Sequence, residues 1–368
     1  MFDFSSYLAS QLSPKPVDFR VEILTGGLTN VTARAIFVVA TSVFGSHSVP
    51  SIVLKYAPPF VASDPAQPMS VHRQVIEGNA LLYLTDSSEI KALLSDFPYL
   101  KIPELVHHDT KANVLWITDL GESLTLSKFL CSQPPPASAT VHNIASTLGT
   151  FIAKFWIITS YPAPGTIELF ARRRDDQGNP AAFLAETARS VMALCGVLDA
   201  EVLAERVAEA MQAEKRLEPC LGMVDLWPGS IIINPDGTRG LVDWEYFGLS
   251  TPGAEVGMFV AHLHLILLDN NTPADVSAVV RSFVAIFLDN YGTHAPTISP
   301  YFKRQALIAY GREMVTAIEF FAAELDEPSR KRVLDKGIWS LRSAGESQDN
   351  MESKILDSRL LTLWDDTS

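Results

Sequence analysis

Two aspartates stand on either side of a short apolar segment, MVDLWPGSIIINPDGTRGLVDWEYFG, at residues 223–248. Asp225 precedes a Pro-Gly turn, and Asp243 follows eighteen residues later (243 minus 225), at the end of a second apolar run. The NPDG sequence between the runs is typical of a hairpin turn, so the pattern predicts both acids at the same end of one hairpin. Because aspartate is seldom buried without a partner, this placement indicates a bound cation.

The two carboxylates could perform complementary tasks. A carboxylate that is held at the head of a strand and directed into a cleft, as predicted for Asp225, can orient an alcohol and accept its proton. Two converging carboxylates repel each other unless a divalent cation lies between them, and Mg²⁺ with oxygen ligands and nucleotide phosphates fits that place. In a metal-free alternative, Asp225 and Asp243 simply cap neighbouring turns.

A second group of candidate residues comes earlier in the chain. The sequence TGGLTN at residues 25–30 joins two predicted strands, and its paired glycines would let backbone N–H groups approach a phosphate. A plain turn is the alternative, and the Gly-Lys-Ser/Thr of a Walker loop does not follow. Lys55 lies in the apolar run SIVLKYA, where a buried ammonium would need an anion. Glu77 on the next predicted helix could supply it; a solvated lysine and an exposed helical glutamate are the alternatives.

The segments that must position these residues differ between the two parts of the chain. The amino-terminal part contains short runs rich in Val, Ile and Thr, which predict a small sheet, and one helical stripe at residues 73–85. After the Pro-rich stretch at residues 131–140 the pattern becomes helical, apart from the hairpin. The sequence therefore predicts an α+β fold with a small β-rich lobe and a larger helical lobe.

Composition narrows the classes of function. The chain has 368 residues, of which 47% are hydrophobic, and a formal net charge of −13. This negative charge disfavours nucleic acid and anionic membranes as partners, because both bind basic surfaces, and it favours a small-molecule partner. Three cysteines without framework spacing indicate free thiols and a cytoplasmic location. The acidic start MFDFSS predicts no signal peptide, and the apolar run at residues 256–268 is too short to span a bilayer.

The motifs taken in order resemble a known family. GGLTN, a strand lysine, a helix glutamate, DLWPGS and VDWE occur in the order found in the aminoglycoside phosphotransferase and choline kinase superfamily. This resemblance covers about residues 20–260. Within the superfamily the chain most resembles fungal 4-hydroxytryptamine kinases and methylthioribose kinases, which share DLW, DWE and a similar tail, here DKGIWSLRSAGESQDN at residues 335–350. The resemblance implies a two-lobed protein-kinase-like fold with an antiparallel amino-terminal sheet.

The resemblance also implies how the amino-terminal lobe would bind ATP. Lys55 would contact the α- and β-phosphates, and Glu77 would hold the lysine. The residues that would cover the phosphates are Gly26, Gly27, Thr29 and Asn30. The strand VLWITDLG would lead into a hinge whose backbone near Asp119 and Leu120 binds adenine. The implied lobes are residues 1–120, which bind the nucleotide, and residues 121–368, which carry the catalytic hairpin and the acceptor pocket.

In the second lobe the resemblance implies that Asp225 is the catalytic base and Asp243 the main Mg²⁺ ligand. Glu245 would assist at the metal or at the edge of the phosphates. The sequence departs from the family where an asparagine that serves as second metal ligand is replaced by Ser230, and where the usual histidine before the catalytic segment is replaced by Met223. Glu255 replaces a downstream aspartate and would support the catalytic loop through its longer side chain.

The sequence as a whole predicts an ATP- and Mg²⁺-dependent kinase that phosphorylates a hydroxyl group of a small molecule. Acidic residues near the cleft, Glu245 and Asp269, favour an amine-bearing alcohol as acceptor. The alternative is a degenerate pseudokinase that binds nucleotide without efficient transfer, and Ser230 is the residue that motivates it. A protein kinase is disfavoured because the chain after Asp243 passes almost directly into a buried helix, which leaves no peptide-docking segment. No protein partner is predicted.

Overall fold

A five-stranded antiparallel sheet lies at the amino-terminal end of the chain. The structure is a computed structural model, and it describes residues 2–13, 17–25, 27–171, 180–212, 216–295, 298–320 and 325–345. The strands of the chain are β1 (Phe19–Leu24), β2 (Val31–Thr41), β3 (Val49–Tyr56), β4 (Phe60–Val61), β5 (Asp64–Pro68), β6 (Leu100–Lys101), β7 (Leu105–Asp109), β8 (Val114–Thr118), β9 (Leu124–Thr125), β10 (Cys220–Gly222), β11 (Ile231–Ile233), β12 (Arg239–Leu241) and β13 (Gly248–Ser250). The order in the large sheet is β1-β2-β3-β8-β7. This arrangement confirms the predicted antiparallel sheet.

Strand β3 is the centre of this sheet and carries side chains to both faces. Ile52 and Leu54 are buried in a small core that also contains Phe4 and Leu8 of the first helix. Because neighbouring residues of a strand point to opposite faces, Lys55 points away from this core. Lys55 therefore lies on the face that meets the second helix.

The helices of the chain form most of the remaining structure. They are α1 (Phe4–Gln11), α2 (Arg73–Asp86), α3 (Ser88–Ser95), α4 (Leu126–Leu130), α5 (Ser138–Ile158), α6 (Pro164–Leu169), α7 (Pro180–Leu194), α8 (Ala200–Ala210), α9 (Pro252–Leu268), α10 (Ala274–His294), α11 (Pro300–Phe320) and α12 (Glu327–Ser343). Helix α2 confirms the helix predicted at residues 73–85, whereas α1 and α3 were not predicted. Among the described residues, the helices are all too short or too polar to cross a membrane.

Helices α9 and α11 approach each other so closely that their main chains touch. A Cβ atom added to Gly253 would lie 2.2 Å from the carbonyl oxygen of Phe302, and one added to Gly257 would lie 2.2 Å from that of Ala306. Real Cβ atoms do not come this close to a backbone oxygen, so glycine is needed at both points. The pair α5 and α10 makes a similar approach at Gly149, whose added Cβ would lie 2.4 Å from the carbonyl oxygen of Phe287.

The predicted hairpin is present between these helices. Strands β11 and β12 pair antiparallel with Ile231 opposite Leu241, and the turn between them contains the NPDG sequence. Strand β11 also pairs with β9, and β12 pairs with β6 in parallel. The hairpin is thus tied to the chain just before β7 and just after β8, which fixes its position relative to the last two strands of the large sheet.

Candidate active site

Lys55 joins the large sheet, helix α2 and the end of the hairpin. Its Nζ lies 2.9 and 2.8 Å from the two carboxylate oxygens of Glu77 and also contacts Oδ1 of Asp243. Burial alone would lower the pKa of Lys55, but the negative charges of Asp243 and Glu77 outweigh it and raise the pKa. The lysine therefore remains charged although it is almost completely buried. Glu77 supplies the anion that the sequence predicted for it.

Three carboxylates lie together at this point. One oxygen from each of Glu77, Asp243 and Glu245 falls within 4.8 Å of the others. Burial raises the pKa of Glu77 and that of Glu245, and the neighbouring charge of Asp243 adds to the effect in both. Such a cluster is stabilised by an additional cation, and hard oxygen ligands suit Mg²⁺. The donor set therefore fits a divalent ion beside Lys55.

Asp243 reaches this cluster from an unusual backbone conformation. It follows β12 with a φ of 71°, in the left-handed region where non-glycine residues are uncommon. Its neighbour Trp244 donates its backbone N–H to Glu77 at 3.3 Å and its indole N–H to the carbonyl of Leu241 at 2.9 Å. These bonds fix the chain next to Asp243, so the carboxylate of Asp243 is held toward Lys55.

Asp225 precedes β11, at the same open end of the hairpin as Asp243. Its side chain is half-buried and accepts no hydrogen bond from the described residues. Burial raises the pKa of Asp225 well above its usual range, and the charges of Asp243, Glu313 and Glu245 raise it further. The two aspartates of the hairpin therefore lie near each other, and Asp225 keeps its full capacity to bind a ligand.

The backbone before Asp225 is held by Glu255 of α9. Val224 has a φ of 63°, a strained value for a β-branched residue, and its N–H donates to Oε1 of Glu255 at 2.9 Å. The hydroxyl of Ser250 donates to the same oxygen. A Cβ atom added to Gly222 would lie 2.7 Å from Cδ of Glu255, so the close approach needs glycine. Glu255 thus supports the segment that carries Asp225, as expected from its position in the sequence.

Ser230 is fully buried within a 3-10 turn at Pro228–Ser230. Its hydroxyl donates to the carbonyl of Trp227 at 2.8 Å and accepts from the N–H of the same residue at 3.2 Å. In this arrangement the hydroxyl stabilises the turn itself. The role of Ser230 as a metal ligand stays a prediction.

The segment expected to cover phosphates contacts the acidic cluster directly. Gly26 lies outside the described residues, and Gly27 is exposed. The Thr29 hydroxyl and the Asn30 amide both donate to the carboxylate of Glu245. The loop between β1 and β2 is therefore bonded to the buried carboxylate of Glu245, which follows the hairpin.

Arg73 at the start of α2 also bonds to this loop, and the sequence analysis did not predict this residue. Its guanidinium donates to Oδ1 of Asn30 at 3.1 Å, to the carbonyl of Thr29 at 3.0 Å and to that of Pro58 at 2.9 Å. It is 4% exposed. A signal existed in the sequence, because Arg73 precedes Glu77 by four residues and so shares its face of the helix.

The predicted hinge is held by side chains from both lobes. The carboxylate of Asp119 pairs with Arg34 of β2 at 2.7 Å and accepts the N–H of Gly121 at 2.9 Å. The carbonyl of Leu120 accepts from the side chain of Asn234, in the hairpin turn, at 2.6 Å. A carbonyl has two lone pairs, so Leu120 can still accept from a ligand. Adenine binding at this segment stays a prediction.

A second charged group near Asp225 was not found from the sequence. Glu313 of α11 pairs with Arg312, whose Nε donates to Oε1 at 2.7 Å, and Nε2 of His262 lies 3.2 Å from Oε2. The ring of His262 lies 5.6 Å from that of Trp227, between centroids. Asp269, which the sequence reasoning placed near the cleft, instead accepts the N–H of Asn271 at the end of α9. The charge of Glu313 raises the pKa of Asp225, so Glu313 belongs to the surroundings of the candidate base.

The sequence is similar to those of known phosphotransferases. The sequence model of the phosphotransferase enzyme family (APH) matches residues 89–296. The 4-hydroxytryptamine kinase of Psilocybe cyanescens is 27% identical over 353 residues, covering 94% of this chain and 93% of that protein. That of Psilocybe cubensis is 25% identical over 365 residues, with the same coverage.

The chain is also similar to solved structures. The streptomycin–ATP ternary complex of APH(2")-IIa is 14% identical, with a TM-score of 0.49 over 90% of this chain and 96% of that chain. Choline kinase LicA from Streptococcus pneumoniae is 14% identical, with a TM-score of 0.43 over 92% of this chain and 97% of that chain. Because the family model spans more than half of the sequence, the chain belongs to the APH phosphotransferase enzyme family.

Proposed function

We propose that this phosphotransferase moves the γ-phosphoryl group of ATP to a hydroxyl group of a small molecule. The observation that carries the proposal is the pair at the end of the hairpin: Asp225 has no hydrogen-bond partner among the described residues, and Asp243 contacts Lys55. One carboxylate is thus free to bind an acceptor, while the other belongs to a cluster suited to phosphate and metal. This division of tasks is what phosphoryl transfer to an alcohol requires.

In the proposed mechanism Asp225 orients the acceptor hydroxyl and takes its proton as the phosphoryl group is transferred. Lys55 contacts the nucleotide phosphates, and Glu77 keeps it in place. Asp243 and Glu245 would hold Mg²⁺, which supplies positive charge to the phosphate oxygens. Ser230 could join them through the lone pair that its bonds to Trp227 leave unused. Transfer of this kind depends mainly on position and charge, so these few side chains are sufficient.

The nucleotide would lie between two lobes, residues 1–120 and 121–368. Its phosphates would meet Gly26, Gly27, Thr29 and Asn30. The backbone near Asp119 and Leu120 would bind the adenine. The bond from Asn234 to the Leu120 carbonyl supports a defined position for this segment, because it ties the end of the sheet to the catalytic hairpin.

An amine-bearing alcohol is the acceptor class that the observations favour. The two curated relatives are named 4-hydroxytryptamine kinases, after an acceptor that carries both an amine and a hydroxyl group. The net charge of −13 and the acidic groups around Asp225 agree with a cationic acceptor.

One observation favours the alternative of a nucleotide-binding protein with little transfer activity. Ser230 replaces a metal-binding asparagine, and its hydroxyl is engaged by the main chain of Trp227. If Mg²⁺ needs a ligand at this position, the affinity of the protein for Mg²⁺ would be low. This alternative predicts ATP binding without a phosphorylated product.

The test is transfer of phosphate from ATP and Mg²⁺ to a panel of acceptors, read by the mass increase of the acceptor. The panel contains 4-hydroxytryptamine, choline, aminoglycosides and simple sugars. The wild type is compared with Asp225→Asn and with a control, Asp289→Asn, which changes an exposed acid of α10. We expect product from the wild type and the control, and a loss of at least a hundredfold in Asp225→Asn. Nucleotide binding without any product would support the alternative instead.

A further inference from the structure

Glu313 is a charged residue of the cleft that the proposed transfer step does not use. It lies on α11, and its side chain is 13% exposed. Its charge contributes to the raised pKa of Asp225, so the two carboxylates are close enough to repel each other. A second carboxylate near a catalytic base opposes the ionised form of that base. A cationic ligand bound beside Glu313 would reduce this opposition.

Glu313 remains ionised in spite of its burial. Burial alone would raise its pKa, but the charge of Arg312 and the contact with His262 outweigh this effect and lower the pKa to about 2. An ionised carboxylate whose side chain keeps some exposure to solvent can also pair with a cationic group of a ligand.

The carboxylate of Glu313 also keeps room for a further donor. Arg312 donates to Oε1 through both Nε and an Nη atom, which occupies that oxygen. On Oε2 the structure shows one contact, with Nε2 of His262 at 3.2 Å. A carboxylate has about four lone-pair sites, so one remains on Oε2. An ammonium group could donate there without displacing either neighbour.

Trp227 provides an apolar surface close to Glu313. It follows Asp225 by two residues, and its ring lies 5.6 Å from that of His262, which in turn contacts Glu313. The indole packs on the backbone of Gly229, where an added Cβ atom would lie 2.3 Å from the ring. The segment that carries Asp225 therefore meets His262 and Glu313 through the ring of Trp227.

We propose that Glu313 binds the protonated amine of the acceptor while Trp227 packs against its apolar body and Asp225 receives its hydroxyl. This inference rests on the proposed function and specifies its substrate class: an alcohol that carries a cationic amine, with a flat or apolar region between the two groups. The charge of the amine on Glu313 offsets the negative charge that this residue presents to Asp225. Glu313 acts as a specificity residue and takes no part in proton transfer.

The experiment measures equilibrium binding by calorimetry, with Mg²⁺ and a non-transferable ATP analogue present. The two probes are 4-hydroxytryptamine and its neutral N-acetyl derivative, which differ in the charge of the amine. The variants are Glu313→Gln, Glu313→Asp and a control, Glu319→Gln, which changes an exposed acid six residues later on α11 (319 minus 313). We expect the wild type and the control to bind the amine at least tenfold more tightly than the N-acetyl probe.

In Glu313→Gln we expect the amine to bind at least tenfold more weakly, with binding of the N-acetyl probe changed less than twofold. Glu313→Asp should keep part of the preference, because it keeps the charge. Equal loss for both probes would show that Glu313 only supports the fold, and it would overturn the inference. If Glu313→Gln does not fold, the measurement on the wild type is the test. The inference is then overturned if the wild type shows no preference for the amine or binds neither probe.

Failure of the proposed function would look different from failure of this inference. If the wild type binds 4-hydroxytryptamine with the expected preference but forms no phosphorylated product, phosphoryl transfer is excluded and the amine site stands. If product forms equally from both probes, transfer stands and the amine site is excluded.

Discussion

The guanidinium Nε of Arg73 lies 3.4 Å from Oε2 of Glu245, and both side chains are almost completely buried. Arg73 begins the helix that carries Glu77, and Glu245 follows Asp243 by two residues. The same arginine bonds to Asn30 and to the carbonyl of Thr29. One ion pair thus connects the proposed phosphate loop, helix α2 and the proposed metal ligands.

Arg73→Gln is expected to weaken nucleotide binding about tenfold, because the loop at Thr29 and Asn30 loses two donors and Glu245 loses a buried counter-charge. Arg73→Lys should recover only part of the affinity, since an ammonium cannot reproduce the forked donors of a guanidinium. Titration of ATP with Mg²⁺ by calorimetry measures both. Arg20→Gln, at an exposed arginine, is the control. Unchanged ATP affinity in Arg73→Gln would exclude Arg73 from ordering the loop.

Glu255→Ala is expected to lower kcat more strongly than it raises KM, because the N–H of Val224 loses its acceptor and Asp225 loses its fixed position. The unfolding free energy should fall by about 2 kcal/mol for the buried donors left without a partner. Glu255→Gln keeps an acceptor oxygen and should retain most of both quantities. Steady-state kinetics and urea unfolding provide the measurements, with the exposed Glu205→Ala of α8 as control. A parallel loss in Glu255→Ala and Glu255→Gln would show that charge, and not the acceptor, matters.

Ser230→Ala is expected to lower the unfolding free energy by about 1 kcal/mol, because the 3-10 turn loses the hydroxyl that bonds to Trp227. Since that hydroxyl is engaged within the turn, Mg²⁺ affinity should change less than twofold. Asp243→Asn, in contrast, should weaken Mg²⁺ binding at least tenfold. Titration with Mn²⁺ monitored by electron paramagnetic resonance compares the two variants. A large loss of metal affinity in Ser230→Ala would establish Ser230 as a ligand.

His264 provides a pH-dependent contribution to stability. Burial, with the charges of Lys336 and Arg281, lowers the pKa of His264 from 6.5 to about 3 in the folded protein, where Nδ1 contacts the hydroxyl of Tyr310 at 2.9 Å. The unfolded chain protonates this histidine below about pH 6.5, whereas the folded protein keeps it neutral. Unfolding therefore takes up a proton, and stability falls as the pH drops from about 6.5 toward 3.

His264→Asn should remove this dependence, since asparagine can bond to Tyr310 but does not titrate. Between pH 6.5 and 5 the unfolding free energy of the wild type should fall more steeply than that of the variant, by about 1.4 kcal/mol per pH unit. Urea unfolding at several pH values measures the difference. Identical slopes for the two proteins would contradict a neutral, buried His264.

The hairpin and its two aspartates were predictable because the information is local. Apolar runs of strand length around NPDG determine the turn, and the turn places Asp225 and Asp243 at one end. The pairing of Lys55 with Glu77 was also accessible, because a lysine in an apolar strand needs an anion and the next helix offers one. Helix α1 was missed because it is short and its apolar residues do not form a clear stripe.

Glu313 could not be assigned in the same way. Helical periodicity indicates which face of α11 is buried, but it does not say that this face lies beside a turn 88 residues earlier (313 minus 225). The left-handed conformations of Val224 and Asp243 were equally hidden, since neither residue type favours them. These features depend on how the segments pack, which one sequence does not reveal.

The contact of main chain with main chain at Gly253 and Gly257 also sets the distance between His262 on α9 and Glu313 on α11. No smaller residue exists that would bring these helices nearer, and any larger one would force them apart. The width of the proposed acceptor site is therefore set by the backbone, while its chemistry is set by exchangeable side chains. Laboratory selection for new acceptors should accordingly alter Trp227, His262 or Glu313 and leave both glycines in place.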